Sequence, residues 1–140
     1  MKRRKRTEIL INTNENIVKF LAEQILNKYE VVTVEKPDYG MVMMKVRETS
    51  KKSLFYLGEV LVTECKVQIK GHIGIGIIKG HKDDMAFYLS VIDAAYNAKL
   101  EETKELEKIL LLEETKQLKE YEQYKNRILK TKVNFETMNI

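Results

Sequence analysis

The sequence is short of almost everything that would stiffen or staple a chain: one cysteine, one proline, two histidines and no tryptophan in 140 residues. A single Cys65 excludes an internal disulfide and fits a reducing compartment. Two histidines, His72 and His81, with no ligand spacing joining them to Cys65, fall short of the three or four convergent ligands that a zinc site needs. They read as turn residues, and Cys65 as a small buried hydrophobe. No apolar run approaches the ~20 residues that span a bilayer. The basic start, Lys2-Arg3-Arg4-Lys5-Arg6, is not followed by an apolar stretch of signal-peptide length. The expectation is a cytoplasmic protein with no membrane partner.

What the sequence does have is a composition that folds. Its apolar fraction is 44% and its charged fraction 33%, mixed in sign, enough for one hydrophobic core and against disorder. The net charge of +4 sits largely in the first six residues. Nucleic-acid-binding faces interleave Lys and Arg with aromatic platforms, and this run contains none. It reads as a solvated, positive start to a helix, with attraction to an acidic or nucleotide-rich partner as the alternative.

Three periods divide the chain. Ile9, Leu10, Ile17, Phe20, Leu21, Ile25 and Leu26 recur at helical steps. Asn12 to Asn14 breaks them, and Asn14 suits an N-cap because its amide oxygen accepts from the free N–H groups of the following turn. This predicts a short helix and a second one ending near Tyr29. Val31, Val32 and Val34 begin a β-prone region in which Pro37-Asp38-Tyr39-Gly40 reads as a turn and 40–46 as a returning strand. A polar linker over 48–53 leads to a long strand over 55–69. Lys70-Gly71-His72 turns it into a strand over 73–78. The expected sheet is therefore antiparallel with about four strands.

Asp83 or Asp84 then caps a helix whose apolar face is Met85, Ala86, Leu89, Ile92, Ala95 and Tyr96. From Glu101 a charged helix runs to about Ile128, roughly 40 Å at the helical rise. Beyond residue 112 its apolar stripe narrows to Leu118, Tyr121, Tyr124 and Ile128. A helix that long with so little to bury is an arm that docks on a partner, or a mobile one. Val133-Asn134-Phe135 begins a terminal segment without helical period. The fold class is thus α+β: N-terminal helices, the sheet, a packed helix and a long charged C-terminal helix. Residues 1–100 form the core, and 101–140 the helical arm and terminal segment of the same domain.

No complete catalytic constellation appears. Gly74, Gly76 and Gly80 precede a helix, but two lie within a strand and the spacing fits neither dinucleotide nor P-loop fingerprints. Close packing of Gly74 and Gly76 is the plain reading, and a phosphate contact at Lys79-Gly80-His81 the sharper one. Asp93 interrupts the apolar Val91-Ile92-Asp93-Ala94-Ala95. A carboxylate there needs hydrogen bonds or a cation, so it is either a tie to the sheet or a contact offered to a partner. Glu59, in Leu57-Gly58-Glu59-Val60, poses the same choice.

Several segments carry a resemblance when taken in order. They are Tyr29-Glu30-Val31 before Pro37; Gly40, Val42 and Arg47; Phe55-x-x-Gly58-Glu59-x-x-Val62-Thr63; Gly71-x-x-Gly74 with Gly80; Ile92-Asp93-Ala94; and Val133-Asn134-Phe135-x-Thr137-Met138. Together they resemble the G subunit of the carbon–phosphorus lyase system, the PhnG family. The resemblance implies a subunit of a core complex with H, I and J subunits, joined by K and L, in phosphonate catabolism. In that system ATP and an alkylphosphonate are condensed with loss of adenine, giving a ribose 1-alkylphosphonate 5-triphosphate; the I subunit chiefly carries the displacement. The resemblance assigns this chain no cofactor of its own, ATP being a substrate of the complex, and brings over no catalytic residue. It points to Arg47, Glu59, Asp93, Asn134 and Thr137 as partner or site contacts. Two readings compete with it: a small basic nucleic-acid-binding protein led by Lys2 to Arg6, and a stand-alone enzyme using the Gly74–Gly80 hairpin and Asp93.

Overall fold

A computed structural model describes the backbone of residues 1–47 and 54–138 and the side chains of residues 1–45 and 58–131. The elements run α1 (Arg3–Ile11), α2 (Glu15–Leu26), β1 (Val32–Arg47), β2 (Leu54–Ile69), β3 (His72–Lys79), α3 (Asp83–Asn97) and α4 (Thr103–Met138). The expected polar linker over 48–53 lies outside the described residues.

The architecture is α+β, with an antiparallel sheet in the order β1-β2-β3. Among the described residues it has three strands rather than the expected four, because Pro37 does not turn the chain. Register shifts between Thr33 and Glu35 and between Glu35 and Asp38 are bulges that absorb the extra residues. β1 is an edge strand, where a residue without an N–H is tolerated at a bulge. The predicted turn is therefore a kink inside one continuous strand.

Strand alternation separates the two faces of the sheet. Thr63, Cys65, Val67 and Ile69 of β2 are buried beneath α3, whereas Glu64, Lys66 and Gln68 lie on the open side. The core closes with Val18, Leu21, Ala22 and Ile25 of α2, packed on α3. The side chain of Asn14 caps α2 by accepting from Asn16 N–H at 2.9 Å, as its position suggests.

The glycines of β3 set how closely α3 approaches. A Cβ on Gly74 would drive into the backbone of Ser90 and Ala94, and one on Gly76 into that of Ala86 and Ser90. Ala86, Ser90 and Ala94 recur at four-residue steps, so a ridge of small residues lies directly on the glycine strand. The packing reading of these two glycines is the one the structure shows.

The first turns of α4 belong to the body: Leu106 and Leu110 are buried in the core. α1 lies along the same helix in parallel. The Met1 amino group meets Glu107 at 3.1 Å, Lys5 meets Glu114 at 3.2 Å, and Gln117 donates to Ile9 C=O and Thr13 Oγ1 at 3.1 Å each. Past Gln117 the helix leaves the body. It also continues through Val133-Asn134-Phe135 to Met138, where a non-helical segment was expected. That stretch contains neither glycine nor proline, and β-branched Val133 weakens a helix only slightly.

Candidate functional site

The buried carboxylate of Asp93 is the most elaborate polar arrangement among the described residues. It is 5% exposed, as is Arg6. Oδ1 accepts from the Arg6 guanidinium at 2.6 Å, while Oδ2 accepts from Arg3 at 2.8 Å and from the Ile75 N–H at 2.9 Å. Arg6 also lies over the Tyr96 ring, 4.1 Å from its centroid. One carboxylate thus holds α1, α3 and β3 together. Two of its contacts are charge-assisted, so the buried charge is compensated at every oxygen.

The same residue covers a sheet edge. Asp93 takes the Ile75 N–H, and Asn97, one turn further on, donates to Ile73 C=O at 2.7 Å. These are outward-facing groups of β3 that another strand would otherwise bond, so α3 blunts that edge with two side chains. The basic start of the chain is accordingly used inside the fold. Arg3, Lys5 and Arg6 all pair with carboxylates of the same chain. The expected solvated run is corrected for Arg6, which aligns with Ile9, Leu10 and Thr13 on the buried face of α1.

Beside this node the Tyr96 hydroxyl is buried and finds no hydrogen-bond partner among the described residues. Burial, reinforced by Glu107 and opposed by Arg6, pushes its pKa up to about 12 from 10.0. A raised tyrosine pKa favours the folded state fully below pH 10, and that contribution is lost as pH climbs toward 12. Alkaline titration followed by phenolate absorbance should show one tyrosine ionising late, and Tyr96→Phe should remove that late component. Unchanged titration in the variant would place the delayed ionisation elsewhere. Tyr29 and Tyr39 are also raised, chiefly by hydrogen bonds to Glu102 and Asp83, and serve as the internal comparison.

The turn into α3 is organised by Thr63. Its hydroxyl donates to Gly80 C=O and accepts from Lys82 N–H, while Gly80 N–H donates to Leu61 C=O. Gly80 adopts φ +88, a conformation that glycine takes without strain. This helix start does not suit phosphate. Asp83 and Asp84 occupy the first turn, and Glu15 lines the same shallow cavity with Tyr39 and His81. Carboxylates already complement the helix dipole and would repel a second anion. Lys82 rather than an aspartate stands at the N-cap; Asp83 accepts from Tyr39 Oη at 2.7 Å.

Chemistry of other kinds finds no gathered set here. Among the described residues, no three His, Cys, Asp or Glu side chains converge on a point that could hold a metal ion. Cys65 is fully buried and its thiol is pushed up by burial, the environment of an unreactive cysteine. No helix among the described residues is long and apolar enough to cross a membrane.

Comparison with known families decides the assignment. Residues 1–139 match the family described as phosphonate metabolism protein PhnG. The chain belongs to the PhnG family. No curated protein matches it. Membership makes it a component of phosphonate metabolism and a subunit among partner subunits. For this PhnG-family chain, two of the quoted segments now have a physical meaning. Gly74, in Gly71-x-x-Gly74, is where α3 meets the sheet, and Asp93, in Ile92-Asp93-Ala94, is the centre of the α1–α3–β3 node.

The five residues expected at a contact are not brought together. Asp93 is internal. Glu59 is exposed on β2 opposite Met43, whereas Ile75, bound to Asp93, pairs with Lys66 of the same strand. Those two positions on β2 lie roughly 23 Å apart at the strand rise. Arg47 ends β1, and Asn134 and Thr137 fall in the last turns of α4; their side chains lie outside the described ones. Asn134 and Thr137 are roughly 25–30 Å along the helix from Gln117, where α4 last bonds to the body.

Sequence reasoning missed the open ribbon. The β2–β3 ladder starts at Val62, but β1 and β2 stay paired out to Arg47 and Leu54. Met41, Val42, Met43 and Met44 are about half exposed there, 48–56% each, on alternating faces. The run of methionines in a β-prone segment was the available signal, since Met is an adaptable side chain favoured where surfaces must conform to a partner.

Proposed function

We propose that this chain is a site-completing subunit of the carbon–phosphorus lyase core complex. It supports displacement of adenine from ATP by an alkylphosphonate, giving the ribose 1-alkylphosphonate 5-triphosphate. The I subunit supplies most of the displacement chemistry, H and J are further core partners, and K and L join them. The chain itself binds no cofactor, and the work takes place in the cytoplasm.

The observation that carries this reading is the ribbon beyond Val62, with apolar side chains exposed on both faces. A single protein has no use for a two-sided apolar ribbon in water, whereas a subunit covers it on assembly. The internal use of Asp93, Arg3 and Arg6 supports it further, because the strongest polar cluster stabilises the fold and offers no free acid, base or nucleophile. Glu59 and Arg47 on the ribbon, with Asn134 and Thr137 near the tip of α4, then act as contacts at or near the partner's site. Asp93 contributes by holding α1, α3 and β3 together rather than by contact with a partner.

Co-expression with the H, I and J subunits of the same genome, followed by affinity capture and mass measurement, should return a stable stoichiometric assembly. Alanine at Glu59 or Arg47 should lower adenine release by the assembled complex, or loosen assembly. A chain that ignores those partners would refute the subunit reading. An assembly indifferent to alanine at Glu59, Arg47, Asn134 and Thr137 alike would refute only the placement of the contacts.

A further inference from the structure

The edges of the sheet are protected in recognisable ways, with one exception. Asp93 and Asn97 of α3 take the outer edge of β3. The outer edge of β1 carries Pro37, the bulges on either side of Glu35, and Lys36 and Lys45, devices that keep an edge strand from pairing with another chain. β2 is central only where β3 lies beside it, from Val62 to Ile69. From Leu61 back to Leu54 it still pairs with β1, but on its other side no strand lies among the described residues. That stretch, Leu54-Phe55-Tyr56-Leu57-Gly58-Glu59-Val60-Leu61, contains neither proline nor lysine. It is β-prone and runs roughly 25 Å at the strand rise.

β3 leaves this edge at Gly80, whose φ of +88 turns the chain away. Gly80 N–H still donates to Leu61 C=O, but Gly80 C=O accepts from the Thr63 hydroxyl and not from Leu61 N–H. Leu61 N–H therefore has no backbone acceptor among the described residues. By strand alternation the N–H and C=O of Glu59 point the same way. Such a row of groups is complementary to one kind of occupant, an extended backbone. The same edge of a second copy does not suit. Leu57 has no partner on β1 at the register shift between Met44 and Lys45, and neighbouring Gly58 sits at φ +151. Two such edges inverted against each other over most of their length would set bulge against bulge and break the ladder. Glu59 adds a charge criterion, since it is exposed and makes no ion pair among the described residues.

We propose that an extended, largely apolar segment of a partner subunit adds as a strand to the Glu59–Leu61 edge of β2, in the place β3 vacates at Gly80. Main-chain hydrogen bonds to Glu59 and Leu61 hold it, and a Lys or Arg stands opposite Glu59. Its alternate side chains extend the two apolar faces of the ribbon, beside Leu61 on one and Val60 on the other. It rests on the subunit reading and adds the form of the cover and the groups that bind it.

Amide hydrogen exchange, resolved to single residues in the full chain alone and in its assembly with the H, I and J subunits, tests it. The amides of Glu59 and Leu61 should slow by about a hundredfold or more on assembly, while that of Val60, which faces β1, changes less. Glu59→Pro and Glu59→Ala separate backbone from side chain. Both lose the carboxylate, but only proline also removes the N–H offered to the added strand, at an edge position where proline is tolerated. The two lone variants should therefore unfold at similar urea concentrations. Glu59→Pro should bind the partner subunits about tenfold or more weakly than Glu59→Ala. Amides that exchange as fast in the assembly as in the free chain would overturn the added strand and leave the subunit reading intact. So would a folded Glu59→Pro variant that binds as tightly as Glu59→Ala. A lone chain that self-associates with the same two amides protected would overturn it in favour of a second copy. A chain that forms no assembly with H, I and J would overturn both readings.

Discussion

Replacing Asp93 with alanine should lower the unfolding free energy by about 3–5 kcal/mol, the cost of leaving a buried guanidinium without its counter-charge. Arg6 cannot relax into water, because it is 5% exposed and held over the Tyr96 ring. The substitution also frees the Ile75 N–H at the β3 edge. Arg3 provides the contrast: it shares the same carboxylate, but its side chain is 57% exposed. Arg3→Ala should therefore cost about 1 kcal/mol or less. Replacing Arg6 and Asp93 together with apolar residues should recover much of the loss, since neither charge is then stranded. Urea midpoints for the three variants and the wild type would decide the matter. A loss below about 1 kcal/mol in Asp93→Ala would mean that the node forms without holding the fold.

Widening the contact between α3 and the sheet should be as damaging. Gly76→Val places carbon where the backbone of Ala86 and Ser90 now lies. Backbone cannot rotate aside as a side chain tip does, so the helix must lift from β3 along much of its length. The expected loss is about 3 kcal/mol or more, at the upper end of overpacking costs. Lifting α3 also pulls Asp93 from Ile75, so near-ultraviolet circular dichroism should change with stability. Gly40→Ala is the control: nothing lies within 4 Å of a Cβ there, and the change should stay within about 0.5 kcal/mol. A well-folded Gly76→Val protein of wild-type stability would show that the close approach is not required.

Both predictions concern residues that stand out in the sequence, though for reasons it only half discloses. A carboxylate inside Val91-Ile92-Asp93-Ala94-Ala95 demands compensation, but the compensating cations lie 87 and 90 residues away. Nothing local distinguishes Arg6 from Lys5 or Arg4 except its place on the Ile9–Leu10–Thr13 face. The glycines of β3 announce close packing, and the small residues of α3 at four-residue steps are its other half. Pro37 misled because proline marks a turn and a bulged edge strand equally well; only the pairing of β1 with β2 separates them. The last turns of α4 misled because absence of apolar period argues only against burial and does not argue against a helix.

The sequence by itself determined the element types over most of the chain, the Asn14 cap, the inert setting of Cys65 and the family. These depend on residues near one another in the chain, where period, capping and turn chemistry act. The tertiary structure decided which of the cations at the start is buried, that three strands suffice, and where the body ends and its ribbon and helical arm begin. Those depend on which distant surfaces meet, and the free energy of a buried ion pair or a glycine–helix contact exists only once both sides are in place.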